Sequence, residues 1–243
     1  MLLAIIPTSA LAQTDDFSDG DDTANPAWTH LSGYVNSTGQ TWNPSGGTYR
    51  LQAPNNGVSG FGFVGSYAGL SYSDVQVRAD FVNFGGPGAN PVFAVAARLN
   101  GNNAFGGLAG YGYAYEPFAA GLTGEMVLYR INPGVSITDI GSLQVTLNPA
   151  NDYTFVLSVS GASLHGQVFQ IGGGLVAEQF ATDATYASGF SGVLGYSQTG
   201  VAPTDFTIDN FSTAVPEPST LALAGLGLFG LAAWTARRQK RGL

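Results

Sequence analysis

From Val75 to Phe84 the chain reads VQVRADFVNF, with Val75, Val77, Ala79 and Phe81 at every second position. Successive side chains of an extended strand point to opposite faces, so period two fits a strand and scatters around a helix. GTYRLQA (Gly47 to Ala53), GFGFVG (Gly60 to Gly65), PVFAVAARL (Pro91 to Leu99) and GEMVLYRI (Gly124 to Ile131) read the same way or as short apolar runs. So do SLQVTL (Ser142 to Leu147), YTFVLSVSG (Tyr153 to Gly161), SLHGQVF (Ser163 to Phe169) and FTIDNFS (Phe206 to Ser212). NPSGG, APNNG, GGPGANP, NPG and NPAND separate them, all turn-forming. No internal stretch carries a helical period. Many short strands with turn signals predict an all-β sandwich or barrel.

The 35 glycines of 243 residues fit disorder or turn-rich strands. The 15 Phe and 11 Tyr supply a core and favour the folded reading. There is no Cys, which excludes disulfides, thiolate metal sites and a Cys nucleophile. MLLAIIPTSALAQ reads as a signal peptide over residues 1–12, ending in an Ala-Leu-Ala cleavage site. Its short apolar core and missing basic region give the expectation of a start upstream of Met1; the alternative is a buried first strand.

At the other end, Ser219 to Ala236 is a run of 18 uncharged residues. As a helix it would span about 27 Å, one hydrocarbon core. Trp234 suits the membrane interface, and Arg237, Arg238, Lys240 and Arg241 would stay in the cytoplasm. The expectation is a transmembrane helix at 219–236 with a basic tail at 237–243; a packed terminal helix is the alternative. All 16 acidic residues lie at or before Glu217, against Arg50, Arg78, Arg98 and Arg130, so the chain up to Pro218 carries −12. Such a charge repels nucleic acid and argues against it as a partner.

Val215-Pro216-Glu217-Pro218, an apolar run and an Arg-rich end, in that order, resemble the PEP-CTERM sorting signal of exported Gram-negative proteins. The resemblance covers about 29 residues. It implies that Pro216, Glu217 and Pro218 are read by an exosortase-like membrane protease, with the helix a transient anchor. It implies an exported location, at the inner membrane first and then at the outer surface or in an exopolysaccharide-rich extracellular matrix. Residues 214–218 would be the motif and 13–213 its passenger. The passenger's layout, a hairpin about Gly161 followed by TYASGFSGVLGYS and a closing strand with Asp-Asn-Phe, resembles a concanavalin-like or laminin-G-like jelly roll. DDFSDGDDTANPAWTHLSG resembles its first strand and GGTYRLQA its second, and the first and last strands would pair. That predicts a two-sheet antiparallel jelly-roll sandwich; an immunoglobulin-like sandwich and a short β-helix compete.

If the chain ends pair, Asp15, Asp16 and Asp19 approach Asp209 and Asn210, a candidate structural Ca²⁺ site, since Ca²⁺ takes six to eight oxygens. The alternative is an acidic segment whose side chains cap turns. Catalysis has thin support. Glu116, Glu125 and Glu178 are isolated in sequence, His30 and His165 are too few for a His metal centre, and there is no G-x-S-x-G elbow. Sugar binding uses exposed rings that stack on pyranose faces. Trp28, Trp42, Tyr111, Tyr113 and Tyr115 are the candidates, YGYAYEP placing three tyrosines on one face; the alternative puts them in the core. The acidic charge favours neutral polysaccharide as partner. Three readings follow: an exported structural or adhesive surface protein, a lectin-like glycan-binding module, and a glycoside hydrolase.

Overall fold

The computed structural model describes residues 12–31, 39–54, 62–84, 91–101, 105–118, 123–134, 136–197 and 203–215. The expected signal peptide up to Leu11, Pro216 to Pro218, the apolar run and the basic tail lie outside the described residues. Among the described residues no helix is long and apolar enough to cross a membrane.

The strands are β1 (Gln13–Asp15), β2 (Trp28–Leu31), β3 (Thr41–Ser45), β4 (Thr48–Ala53) and β5 (Val64–Tyr72). Then come β6 (Val75–Phe84), β7 (Pro91–Asn100), β8 (Ala109–Pro117), β9 (Gly124–Asn132) and β10 (Ser136–Val145). The last are β11 (Tyr153–Ser160), β12 (Ser163–Gln170), β13 (Leu175–Thr182), β14 (Gly189–Ser197) and β15 (Thr204–Ala214). The first sheet runs β13-β12-β11-β6-β15-β4-β3, with β1 also on β15; the second runs β10-β9-β8-β7-β14-β5-β2. All pairings between strands are antiparallel. The expected pairing of first and last strands is present, Asp15 facing Phe211.

The period-two pattern becomes the core. Val75, Val77, Ala79 and Phe81 of β6 are fully buried, together with Phe155 of β11 and Phe206 of β15, against Phe93 and Val95 of β7. Phe81 lies 4.8 Å from Phe93 and 4.7 Å from Phe155 by ring centroids, in tilted contacts each adding about 0.5–1.5 kcal/mol beyond burial.

Several elements depart from the expectation. The second half of TYASGFSGVLGYS is a strand, β14, in the middle of the second sheet, and β5 runs from Val64 to Tyr72 where GFGFVG ends at Gly65. TWNPS (β3) and LVAEQFAT (β13) are strands, both at the edges of the first sheet. Edge strands need no apolar stripe on both faces, so their pattern is weak, and an edge also tolerates Pro44. GGTYRLQA is the fourth strand rather than the second, because the N-terminal segment supplies two short strands, not one, and β3 follows them.

The glycine content has a packing cause. A Cβ on Gly166 of β12 would lie 2.6 Å from the Tyr113 ring across the sandwich, and one on Gly112 would lie 2.3 Å from Tyr129 on the neighbouring strand. Each glycine is the hole that a tyrosine ring fills.

At one end of the sandwich Arg98 is buried, its side chain 2% exposed. Its Nε donates to the Ser73 carbonyl (2.6 Å) and Nη1 to those of Gly161 (2.8 Å) and Tyr186 (2.7 Å), with Asp74 Oδ1 3.4 Å from Nη2. Nearby, the Tyr111 hydroxyl donates to Asp183 Oδ1 (2.8 Å) and Arg130 Nη1 to Asp183 Oδ2 (2.6 Å). Burial alone would raise the Asp183 carboxyl; hydrogen bonds from Thr185 and Tyr111 and the Arg130 charge outweigh it and hold it at about 2.

Gly166→Ala should destabilise the fold by about 1–3 kcal/mol, the usual cost of overpacking, read as a lower chemical-denaturation midpoint; an unchanged midpoint would refute the ring-in-hole packing. Because the Asp183 pKa lies below its ordinary 3.8, its contribution is complete above pH 3.8 and is lost as the pH falls through about 2. Stability followed from pH 5 to 2 should therefore fall less steeply in Asp183→Asn than in the parent.

Candidate functional site

The acidic N-terminal segment turns much of its charge inward. Asp15 is buried; its Oδ2 accepts the Trp28 indole N–H (2.7 Å) and its Oδ1 the Phe17 backbone N–H (2.8 Å). Burial pushes the Asp15 carboxyl up despite these bonds, and Asp19 and Asp16 add to the rise. Asp22 accepts the Tyr49 hydroxyl (3.1 Å) and lies 2.7 Å from His30 Nε2. Asp16, Asp19 and Asp21 each cap a backbone N–H two residues on, the turn geometry that short acidic side chains favour.

Asp15, Asp16, Asp19 and Asn210 do come together, around a cleft of about 560 Å³ that also involves Thr14, Arg78, Asp80 and Ser212. β15 builds it by bulging at Asp209 to Ser212 as it passes β6; Asn210 takes a φ of 48° there. Asp80 forms the floor, accepting Thr154 Oγ1 (2.6 Å) and Asn210 Nδ2 (3.1 Å), with Arg78 Nη2 at 3.5 Å. Burial raises the Asp209 carboxyl, and Asp80 and Asp16 raise it further. Part of the expected Ca²⁺ set is already engaged by protein donors. Asp15 has spent both oxygens on protein donors and Asp209 Oδ1 caps the Asn210 N–H (2.7 Å). Among the described residues no group of three acidic or histidine side chains stands ready for a metal.

The expected tyrosine platform is corrected. Tyr111, Tyr113 and Tyr115 share one face of β8, but that face is the sandwich interior, and all three are buried, as is Trp28. β8 is flanked by β7 and β9, so period two there marks the core rather than a rim. Trp42 is partly buried, stacked on His30 at 4.5 Å and donating from Nε1 to the Gly65 carbonyl (2.8 Å).

Two Phe rings among the described residues are exposed, Phe118 at 40% and Phe180, at 70% the most exposed large apolar side chain there. Phe180 stands on β13 on the outer face of the first sheet, opposite His165 of β12. The two rings are parallel within 8° at 4.2 Å. His165 Nε2 lies 2.8 Å from Glu178 Oε1, which also accepts Gln167 Nε2 (3.0 Å). The imidazole therefore covers one face of the ring, with amide and carboxylate groups close by. The signal was present in FQIGGGLVAEQF: a glycine turn closing a hairpin whose register sets Phe180 against His165.

Glu116 and Glu125, isolated in sequence, sit directly opposite on β8 and β9. Tyr196 donates to Glu116 Oε1 (2.9 Å). Most of the rest of that outer face of the second sheet is apolar and buried, with Leu31, Val92, Ala94, Ala96, Val127 and Leu194.

Residues 214–238 match the family described as the PEP-CTERM protein-sorting motif, a signal that supports an exported, surface-associated protein. The sandwich is similar to the CBM2 module of the Lactobacillus casei BL23 phage J-1 evolved Dit, at 9% identity, TM-score 0.61, covering 86% of this chain and 98% of that one. It is similar to the VIP36 exoplasmic/lumenal domain in its Ca²⁺/Man3GlcNAc-bound form, at 10% identity, TM-score 0.54, covering 78% and 84%. It is also similar to a β-1,3-1,4-glucanase (lichenase) from a mouse hindgut metagenome, at 11% identity, TM-score 0.56, covering 84% and 99%. At such identities the likeness is one of fold. No curated protein sequence matches the chain.

Asp15→Ala should cost about 1–3 kcal/mol, the penalty for leaving the Trp28 N–H and a backbone donor unpaired in the interior. A structural Ca²⁺ would raise the melting temperature in Ca²⁺ over that in chelator; the same value in both would exclude a folding role for the metal.

Proposed function

We propose that this chain is a glycan-binding module, exported and sorted to the cell surface or matrix through its C-terminal signal. The observation that carries it is the flat, 70% exposed Phe180 ring backed by His165 and flanked by Glu178 and Gln167. A pyranose presents an apolar C–H face that stacks on such a ring and hydroxyls that meet the polar groups around it. The ligand is a neutral polysaccharide, since the −12 charge of the chain up to Pro218 opposes polyanions. An outward-facing aromatic with no partner in its own core favours binding over a purely structural or adhesive role.

In this reading the apolar run at 219–236 spans the inner membrane, the tail at 237–243 stays inside, and an exosortase-like protease acts on the segment holding Pro216, Glu217 and Pro218. Antiparallel order and the β1–β15 pairing support jelly-roll connectivity. The module binds without cleaving. One observation favours a hydrolase: Glu116 and Glu125 are cross-strand neighbours, whose Cα atoms lie about 4.5–5.5 Å apart in such a pair. Yet Glu116 is engaged by Tyr196 and the surrounding face is apolar, with little to hold a sugar's hydroxyls.

On immobilised neutral polysaccharides the protein should bind, and Phe180→Ala should weaken binding about tenfold or more; unchanged binding by the variant would refute the platform. No reducing ends should be released; release abolished by Glu116→Gln would establish the hydrolase instead.

A further inference from the structure

The geometry points to a binding track rather than a single subsite: an extended segment of a linear neutral polysaccharide lies across the strands on the outer face of the first sheet, from Phe180 to the cleft beside Asn210. This rests on the glycan-binding reading above.

Register aligns the groups. Phe180 faces His165, His165 faces Ser158 of β11, and Ser158 faces Gln76 of β6. In the next row Glu178 faces Gln167, Gln167 faces Val156, Val156 faces Arg78, and Arg78 faces Ser212 of β15. Leu164, Val168, Val77 and Leu157 alternate with these positions and are buried in the core, so both rows share the opposite, solvent side. From β13 to β15 the rows cross four strand spacings, about 19 Å. That length accommodates several sugar residues end to end.

Val156 is an apolar, buried break in the second row; the other groups along the track suit hydroxyls. Gln76 Nε2 donates to Ser158 Oγ (3.0 Å), which orients both. Glu178 takes both its protein bonds on Oε1, leaving Oε2 free to accept. Arg78 is half exposed and bonds protein groups only through Nη2, to Asp80 and Thr154. Arg78 also lines the cleft, where Asn210, Ser212 and Asp80 supply amide, hydroxyl and carboxylate oxygens. One cation among Asp16, Asp19, Asp80 and Glu178 cannot neutralise a polyanion, so the chain it fits is uncharged. The second sheet offers no such surface, its outer face being largely apolar and buried.

The test is solution titration of the full protein with disaccharides and hexasaccharides of linear neutral glucans, mannans and xylans, alongside Phe180→Ala, Arg78→Ala and Gln76→Ala. Melting temperatures check that each variant is folded; all three side chains are exposed. The expected result is hexasaccharide binding about tenfold or more above the disaccharide, lost about tenfold in both Phe180→Ala and Arg78→Ala. A loss in Phe180→Ala with no change in Arg78→Ala or Gln76→Ala overturns the track and leaves the platform standing. Equal affinity for both chain lengths also overturns the track. No binding of any of these glycans overturns the glycan-binding reading itself.

Discussion

A single buried guanidinium closes one end of this sandwich. Arg98 leaves its strand at a bulge and reaches carbonyls in the β5–β6 turn, the β11–β12 hairpin and the segment between β13 and β14. Two of those segments carry the chain from one sheet to the other. A buried cation demands this, because it is tolerated only when its donors are all engaged. Satisfying one side chain therefore holds three loops in one arrangement. That in turn holds the β11–β12–β13 meander, and with it the face on which Phe180 stands.

The two outer faces of the sandwich have diverged. That of the second sheet is mostly apolar, and its carboxylate pair lies at one end, beside Tyr196. That of the first sheet carries glutamines, serine, arginine and one exposed ring. Both sheets share the same aromatic core, where tyrosine rings occupy the space that glycines leave. The high glycine content is thus a property of the packing as much as of the turns, and the tyrosines that looked available for sugar are what it accommodates.

Much of the architecture was legible in sequence. β6, β7, β9, β11, β12 and β15 each carry an apolar stripe or run, because a strand inside a sandwich must bury at least one face. β3, β13 and β14 were not legible: an edge strand has less to bury, and the glycines of GFSGVLGYS break up the apolar run of β14. For the candidate site the position reverses. Asp15, Asp16, Asp19 and Asn210 were identified as neighbours from the pairing of the chain ends, and they are neighbours. Composition cannot distinguish an oxygen facing an incoming cation from one already bonded within the protein, as those of Asp15 are to Trp28 and Phe17. The tyrosines of β8 were misread for a similar reason: period two says that residues share a face, not which face.

The sequence by itself determined the all-β class, the turn positions, the sorting signal at the C-terminal end, and the acidic charge of the chain before it. These follow from local rules, the alternation of side chains and the cost of leaving apolar or charged runs in the wrong solvent. Only the tertiary structure decided which rings are buried and that Glu116 meets Glu125. It also decided that Phe180 is exposed beside His165, on the same outer face as Gln76, Gln167, Arg78 and Ser212. Those relations arise from register between strands distant in sequence, and register is a property of the assembled sheets.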